Sequence, residues 1–178
     1  MDTKVEKQLQ YLVRETDALF ADLKKYSEAD LNRQPAPDSW SAIQCLHHLI
    51  LAEKYSTAYC KKKLGFRPKL KKAGWQSGLR RRFVNWYLGS PLKFKAPPGL
   101  GTEYLPEHDT LENTKNEWLK ARTEIKNFLQ NLPAEYVNKE VYKHPAAGRM
   151  SIPDMLSFFG AHFRHHRKQA YRALEGNR

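Results

Sequence analysis

Ser151-Ile-Pro-Asp-Met-Leu-Ser-Phe-Phe-Gly-Ala-His-Phe-Arg-His-His-Arg-Lys-Gln-Ala170 reads as one amphipathic helix entering a protein core. Helical positions three or four apart share a face. Met155, Phe159, His162, His166 and Ala170 keep that spacing, while Arg164, Arg167 and Lys168 fall beside or behind it. Ser151 is a good N-cap, Pro153 fits the first turn, and Asp154 follows the cap by three, close to a capping box. The helix is predicted to run to about Leu174. Two imidazoles that extend an apolar stripe, with the charges turned away, point to a metal site inside a helical bundle. Such histidines also occur as ordinary hydrogen-bonded core residues. His165, three after His162, shares a side with Phe158 and would replace His166 if the helix were rotated.

Three more helices follow from apolar spacing. The first runs from about Thr3 to Lys25, with Val5, Leu9, Leu12, Leu19 and Leu23 along its buried stripe. The prolines of Asn32-Arg-Gln-Pro-Ala-Pro-Asp-Ser39 separate it from the second, which opens at Asp38 or Ser39 and continues through Trp40, Ile43, Leu46 and Leu49 to about Lys62. The third starts near Asp109 or Thr110, carries Trp118, Ile125 and Phe128, and is stopped by Pro133. Four amphipathic helices predict an all-α fold, a four-helix bundle with a long crossover connection between helices two and three. A short helix from Ser77 to Leu88 fits within that connection, and the whole chain, 1–178, reads as a single domain.

A bundle site needs ligands from more than one helix, and the second helix offers Cys45-Leu-His-His48. Adjacent residues point about 100° apart, so only one of His47 and His48 can look at the centre. His48 shares a face with Gln44, Cys45, Ala52 and Tyr55, His47 one with Ile43 and Ile50, and spacing does not choose. Cys45 could be a thiolate ligand or nucleophile, although a small buried helix residue is the simpler reading.

The net charge of +12 is concentrated in one place. Between Lys61 and Thr102 stand twelve Lys/Arg and no Asp/Glu, leaving the rest of the chain balanced. Residues 61–105 therefore read as a basic insertion on a neutral domain. Its Lys and Arg clusters, interleaved with Phe66, Trp75, Phe83 and Trp86, could meet nucleic acid, anionic lipid or a phosphate-bearing ligand, but a solvated insertion held down by its aromatics is favoured. Cys45 and Cys60, fifteen residues apart on one helix, would lie about 22 Å from each other, too far for a disulfide. With no run of about 20 apolar residues for a membrane span and no signal-peptide pattern, the expectation is a reduced cytoplasmic protein.

Trp40-Ser-Ala-Ile-Gln-Cys-Leu-His-His-Leu49 resembles the first signature of the DinB/YfiT-like superfamily, in which Trp-Ser opens a helix and a metal-binding His directly precedes Leu. His144-Pro-Ala-Ala-Gly-Arg-Met-Ser-Ile-Pro-Asp-Met-Leu156, followed by His162, His166 and Gln169, is similar to the second. The resemblance implies a divalent metal (Zn, Ni, Mn or Fe) held by His48, His162 and His166, with coordination positions left open. It also implies a metal-dependent hydrolase or a low-molecular-weight thiol S-transferase, with a small thiol and an electrophile as substrates. No Asp or Glu stands convincingly beside the histidines, and Glu53 is off the face of His48, which tilts the expectation toward thiol transfer. A homodimer is expected by analogy. The competing class is a non-catalytic bundle braced by its metal, whose basic segment binds nucleic acid or another acidic partner.

Overall fold

The computed structural model describes residues 1–89 and 100–176. Among these the fold is all-α, but seven helices pack together rather than a simple set of four. The long ones are α1 (Thr3–Leu23), α3 (Ala42–Gly65), α5 (Leu111–Gln130) and α7 (Ile152–Glu175); α4 (Trp75–Gly89) is intermediate, and α2 (Glu28–Asn32) and α6 (Ala134–Val137) are single turns. A 3₁₀ turn at Thr102–Tyr104 and a hairpin of β1 (Tyr142–His144) with β2 (Gly148–Met150) complete the described chain.

The expected crossover over 61–105 is corrected. Its first residues belong to α3, and α4 fills its middle and packs along α7. Residues 90–99, with Lys93 and Lys95, lie outside the described part of the chain. The second predicted helix also starts later than expected. Ser41, not Asp38 or Ser39, caps α3: its hydroxyl accepts from Gln44 N, and the Gln44 side chain accepts from Ser41 N. Asp38 instead takes a left-handed conformation, φ 60°, in the turn before it. Thr110 and Ser151 cap α5 and α7 at the places their sequences indicate.

The His-Pro-x-x-Gly motif forms a hairpin rather than a plain turn. Tyr142 pairs with Met150 and His144 with Gly148, where φ is +82°. Only glycine adopts that angle without strain, so Gly148 closes the loop Pro145–Ala147 and aims β2 at the Ser151 cap.

α7 is the central element, packed against α1, α3 and α4, and α3 also packs against α5. Met155, Phe159, Leu9, Leu12 and Ile125 belong to one apolar cluster. Phe163, Ala170, Leu46, Leu49 and Trp118 belong to a second. Trp118, Phe159 and Phe163 are fully buried, and each such side chain contributes about 1.5–3 kcal/mol. These flanking layers fix the rotation of α7, and that rotation turns its histidines toward α3.

Candidate metal centre

His48 comes from the second turn of α3, and His162 and His166 come from successive turns of α7. All three are buried, 3 %, 7 % and 7 % exposed. One ring nitrogen from each lies within 4.8 Å of the other two, and the Nε2 atoms of His48 and His162 are 3.1 Å apart. Around a tetrahedral ion with bonds of 2.0–2.1 Å, ligand nitrogens stand about 3.4 Å apart. The three side chains are therefore close enough to share one ion with small rotamer adjustments.

Their hydrogen bonds set which nitrogens are available. His48 Nδ1–H donates to the Leu100 carbonyl (3.0 Å) and His166 Nδ1–H donates to Gln169 Oε1 (2.8 Å). A neutral imidazole carries one N–H, so in both rings Nε2 is left as a lone-pair donor. A metal-binding histidine is usually oriented in this way through its other nitrogen. Burial pushes the His48 pKa down to about 4, and burial reinforced by the neighbouring imidazoles holds His162 and His166 well below the ordinary histidine value. Three neutral, converging imidazoles in a nearly dry site fit a divalent cation and disfavour three separate protonations.

Aromatic rings wall the cluster. Trp40, just before the Ser41 cap, lies over His48 and His166 at centroid distances of 4.8 and 5.9 Å and donates from Nε1 to Thr102 Oγ1. Phe158 stacks on His162 at 5.1 Å, and the His144 ring meets Phe158 edge-on at 4.6 Å. His144 Nδ1 accepts from the backbone N–H groups of Ala146 and Ala147, so its proton resides on Nε2.

The other candidates go elsewhere. His47 Nε2–H donates to Asp109 at 2.8 Å, on the α5 side of α3, and His165 Nδ1–H donates to the Leu88 carbonyl at 2.7 Å, tying α7 to α4. Cys45 is buried among apolar side chains, which push its thiol up to about 12. Glu53 is buried against Arg122 of α5, 2.8 Å away. Among the described residues, no cysteine or carboxylate belongs to the three-histidine cluster. Sequence reasoning did not find the covering Trp40 or the Leu100 carbonyl. Trp40 stands directly before a Ser-x-x-Gln cap and so could have been read as a lid on the first turn; Leu100 meets His48 only through tertiary folding.

The arrangement defines a class: helical proteins whose core holds a buried cluster of three histidines capable of coordinating a metal ion. The family model of the DinB superfamily matches residues 8–170, and the chain belongs to that superfamily. No curated protein matches the sequence.

Proposed function

We propose that His48, His162 and His166 hold one divalent metal ion, and that the protein is a metal-dependent enzyme of the low-molecular-weight thiol S-transferase type, with hydrolysis as the variant chemistry. The convergence of three buried imidazoles, two with their Nδ1–H groups already committed, carries this reading. When bound at three neutral ligands, Zn²⁺, Ni²⁺, Mn²⁺ or Fe²⁺ supplies Lewis acidity at an open position and lowers the pKa of a water or thiol there.

The chain's own residues contribute orientation and exclusion of water. Leu100 and Gln169 fix two ring tautomers, and Trp40 and Phe158 cover the rings with apolar surface. The three imidazoles carry no negative charge, so a bound dication would keep its full charge for an incoming anion. The acid nearest along α3, Glu53, is occupied by Arg122 and does not serve as a general base for water. A thiol needs less help than water, because its pKa of about 8.5 is already near neutral. This favours thiol transfer over hydrolysis.

Metal content by mass spectrometry on protein purified without a His-tag tests the reading. About one divalent ion per chain, lost in His48→Ala and His166→Ala, would support it and justify assaying thiols with electrophiles. Protein that stays metal-free after divalent ions are offered would end it. Loss of turnover in His162→Ala with an intact fold would separate a catalytic metal from a bracing one.

A further inference from the structure

Helix α4 turns Ser77, Val84 and Leu88 toward the core and is tied down around them by polar side chains. Ser77 Oγ donates to Asp154, Arg81 Nε pairs with Asp154 at 3.0 Å, Arg80 pairs with Glu140 and donates to the Arg149 carbonyl, and Asn85 Nδ2 donates to Ser157 Oγ. The opposite face carries Trp75, Leu79, Phe83 and Trp86, spaced by four, four and three residues and therefore in one stripe. All four are exposed, Trp75 by 74 % and Trp86 by 66 %. Together they present an apolar patch on the order of several hundred Å², the size that marks an interaction surface on a monomer.

We infer that this face of α4 docks on an anionic lipid bilayer, with Trp75, Leu79, Phe83 and Trp86 in the interface and the surrounding cations on the headgroups. A helix that binds in the plane of a membrane needs an apolar face rimmed by Lys and Arg, with Trp at the polar boundary. Lys71 and Lys72 are exposed four and three residues before Trp75, Arg82 is exposed on the helix itself, and no acid occurs from 61 to 102.

The charge pattern argues against the other occupants. A strand of nucleic acid would need cations beside the aromatics to follow its phosphates. On α4 two of the three arginines are turned to protein carboxylates, and an aliphatic Leu79, which cannot stack on a base, sits mid-stripe. A second copy of the chain would bring like charges together around the patch. A bilayer carrying acidic headgroups satisfies both the apolar stripe and the cationic rim. This docking is independent of whether the histidines hold a metal.

Co-sedimentation of the full chain with vesicles of phosphatidylcholine plus phosphatidylglycerol, beside vesicles of phosphatidylcholine alone, tests it. The protein should pellet with the anionic vesicles and much less with the neutral ones. Leu79→Ser/Trp86→Ser should weaken binding at least about tenfold. Lys71→Glu/Lys72→Glu, outside the helix, should weaken it further, since each basic residue near an anionic surface is worth about fivefold. Circular dichroism should show both variants as helical as wild type. Equal binding to both vesicle types, no binding to either, or undiminished binding by the Leu79/Trp86 variant would overturn the inference. So would absent vesicle binding together with either oligonucleotide binding or self-association that these substitutions abolish.

Discussion

His48 Nε2 and His162 Nε2 face each other 3.1 Å apart although 114 residues separate them in the chain. The contact joins α3 to α7 at the point where both helices are apolar on either side. Two neutral imidazole nitrogens at that distance repel unless a proton or a cation lies between them, and His48 has already placed its proton on Nδ1. A neutral His162 with its proton on Nε2 meets that condition by donating to His48 Nε2, and a bound cation would take that proton's place.

Gln169 lets a proposed metal ligand be told apart from a residue that orients one. Replacing His48 by Ala should reduce divalent-metal affinity by more than about 100-fold, whereas Gln169→Leu, which releases only His166 Nδ1, should cost about 10–100-fold. Competition against a chromogenic chelator measures both. Equal losses in the two variants would argue against His48 as a ligand.

How much of this was legible in the sequence differs by element. α7 could be read almost completely, because Ser151, Pro153 and Asp154 mark its start and the flanking phenylalanines fix its buried face. Spacing does not choose His48 over His47, since α3 is buried around much of its circumference; only the resemblance, with its His directly before Leu, singles out His48. Asp109 draws His47 away, a contact between residues 62 apart that no local pattern encodes. The hairpin escaped notice because strands of three residues are too short to show alternation. Within the basic segment the short helix expected at Ser77–Leu88 is present as α4, but Phe66, Trp75, Phe83 and Trp86, expected to hold the insertion down, are exposed, because Val84, Ser77 and ion pairs seat the helix instead.

The buried pair Glu53–Arg122 should behave asymmetrically. Both side chains are nearly inaccessible, and among the described residues Glu53 Oε2 and Arg122 Nε and Nη1 have no hydrogen-bond partner. Burial raises the Glu53 pKa despite the guanidinium beside it. Arg122→Met alone leaves a buried carboxylate and should destabilise by about 3–5 kcal/mol, while Glu53→Leu/Arg122→Met together should be close to neutral or stabilising. Urea denaturation of the two variants decides the matter; equal destabilisation would contradict it.

His144 should make stability depend on pH. Burial lowers its pKa from 6.5 to about 4, and its Nδ1 already accepts from the N–H groups of Ala146 and Ala147. Below 6.5 the unfolded chain takes up a proton that the folded chain refuses. The contribution is therefore complete above pH 6.5 and is lost as pH falls toward 4, by about 1–2 kcal/mol after allowing for partial exposure. Subtracting the stability–pH curve of His144→Asn from that of wild type should isolate this slope between pH 6.5 and 4.

Cys45 and Cys60 should be silent toward alkylation in the native state. Burial pushes both thiols up to about 12, so at pH 8 the reactive thiolate is scarce as well as inaccessible. Mass spectrometry after iodoacetamide treatment should find neither modified in folded protein and both modified in denaturant. Labelling of Cys45 in folded protein would show that the α3 core opens.

Asp154 couples α4 to the helix that carries two of the three histidines. Its carboxylate accepts from Ser151 Oγ at 2.7 Å, from Ser77 Oγ and from Arg81, and it sits in the first turn of α7, where the positive end of the helix dipole favours a negative charge. Asp154→Ala removes all of these at once and leaves two hydroxyls without their acceptor. It should cost about 1–3 kcal/mol of global stability. Its larger effect should be local, since the polar ties of α4 that remain among the described residues are the partly exposed Arg80, Asn85 and the Leu88–His165 hydrogen bond. Hydrogen exchange should therefore accelerate in Trp75–Gly89 well before it does in α7. If α4 amides keep their wild-type protection in Asp154→Ala, then Val84 and the apolar contacts beneath α4 hold the helix, and the carboxylate serves only as part of the cap.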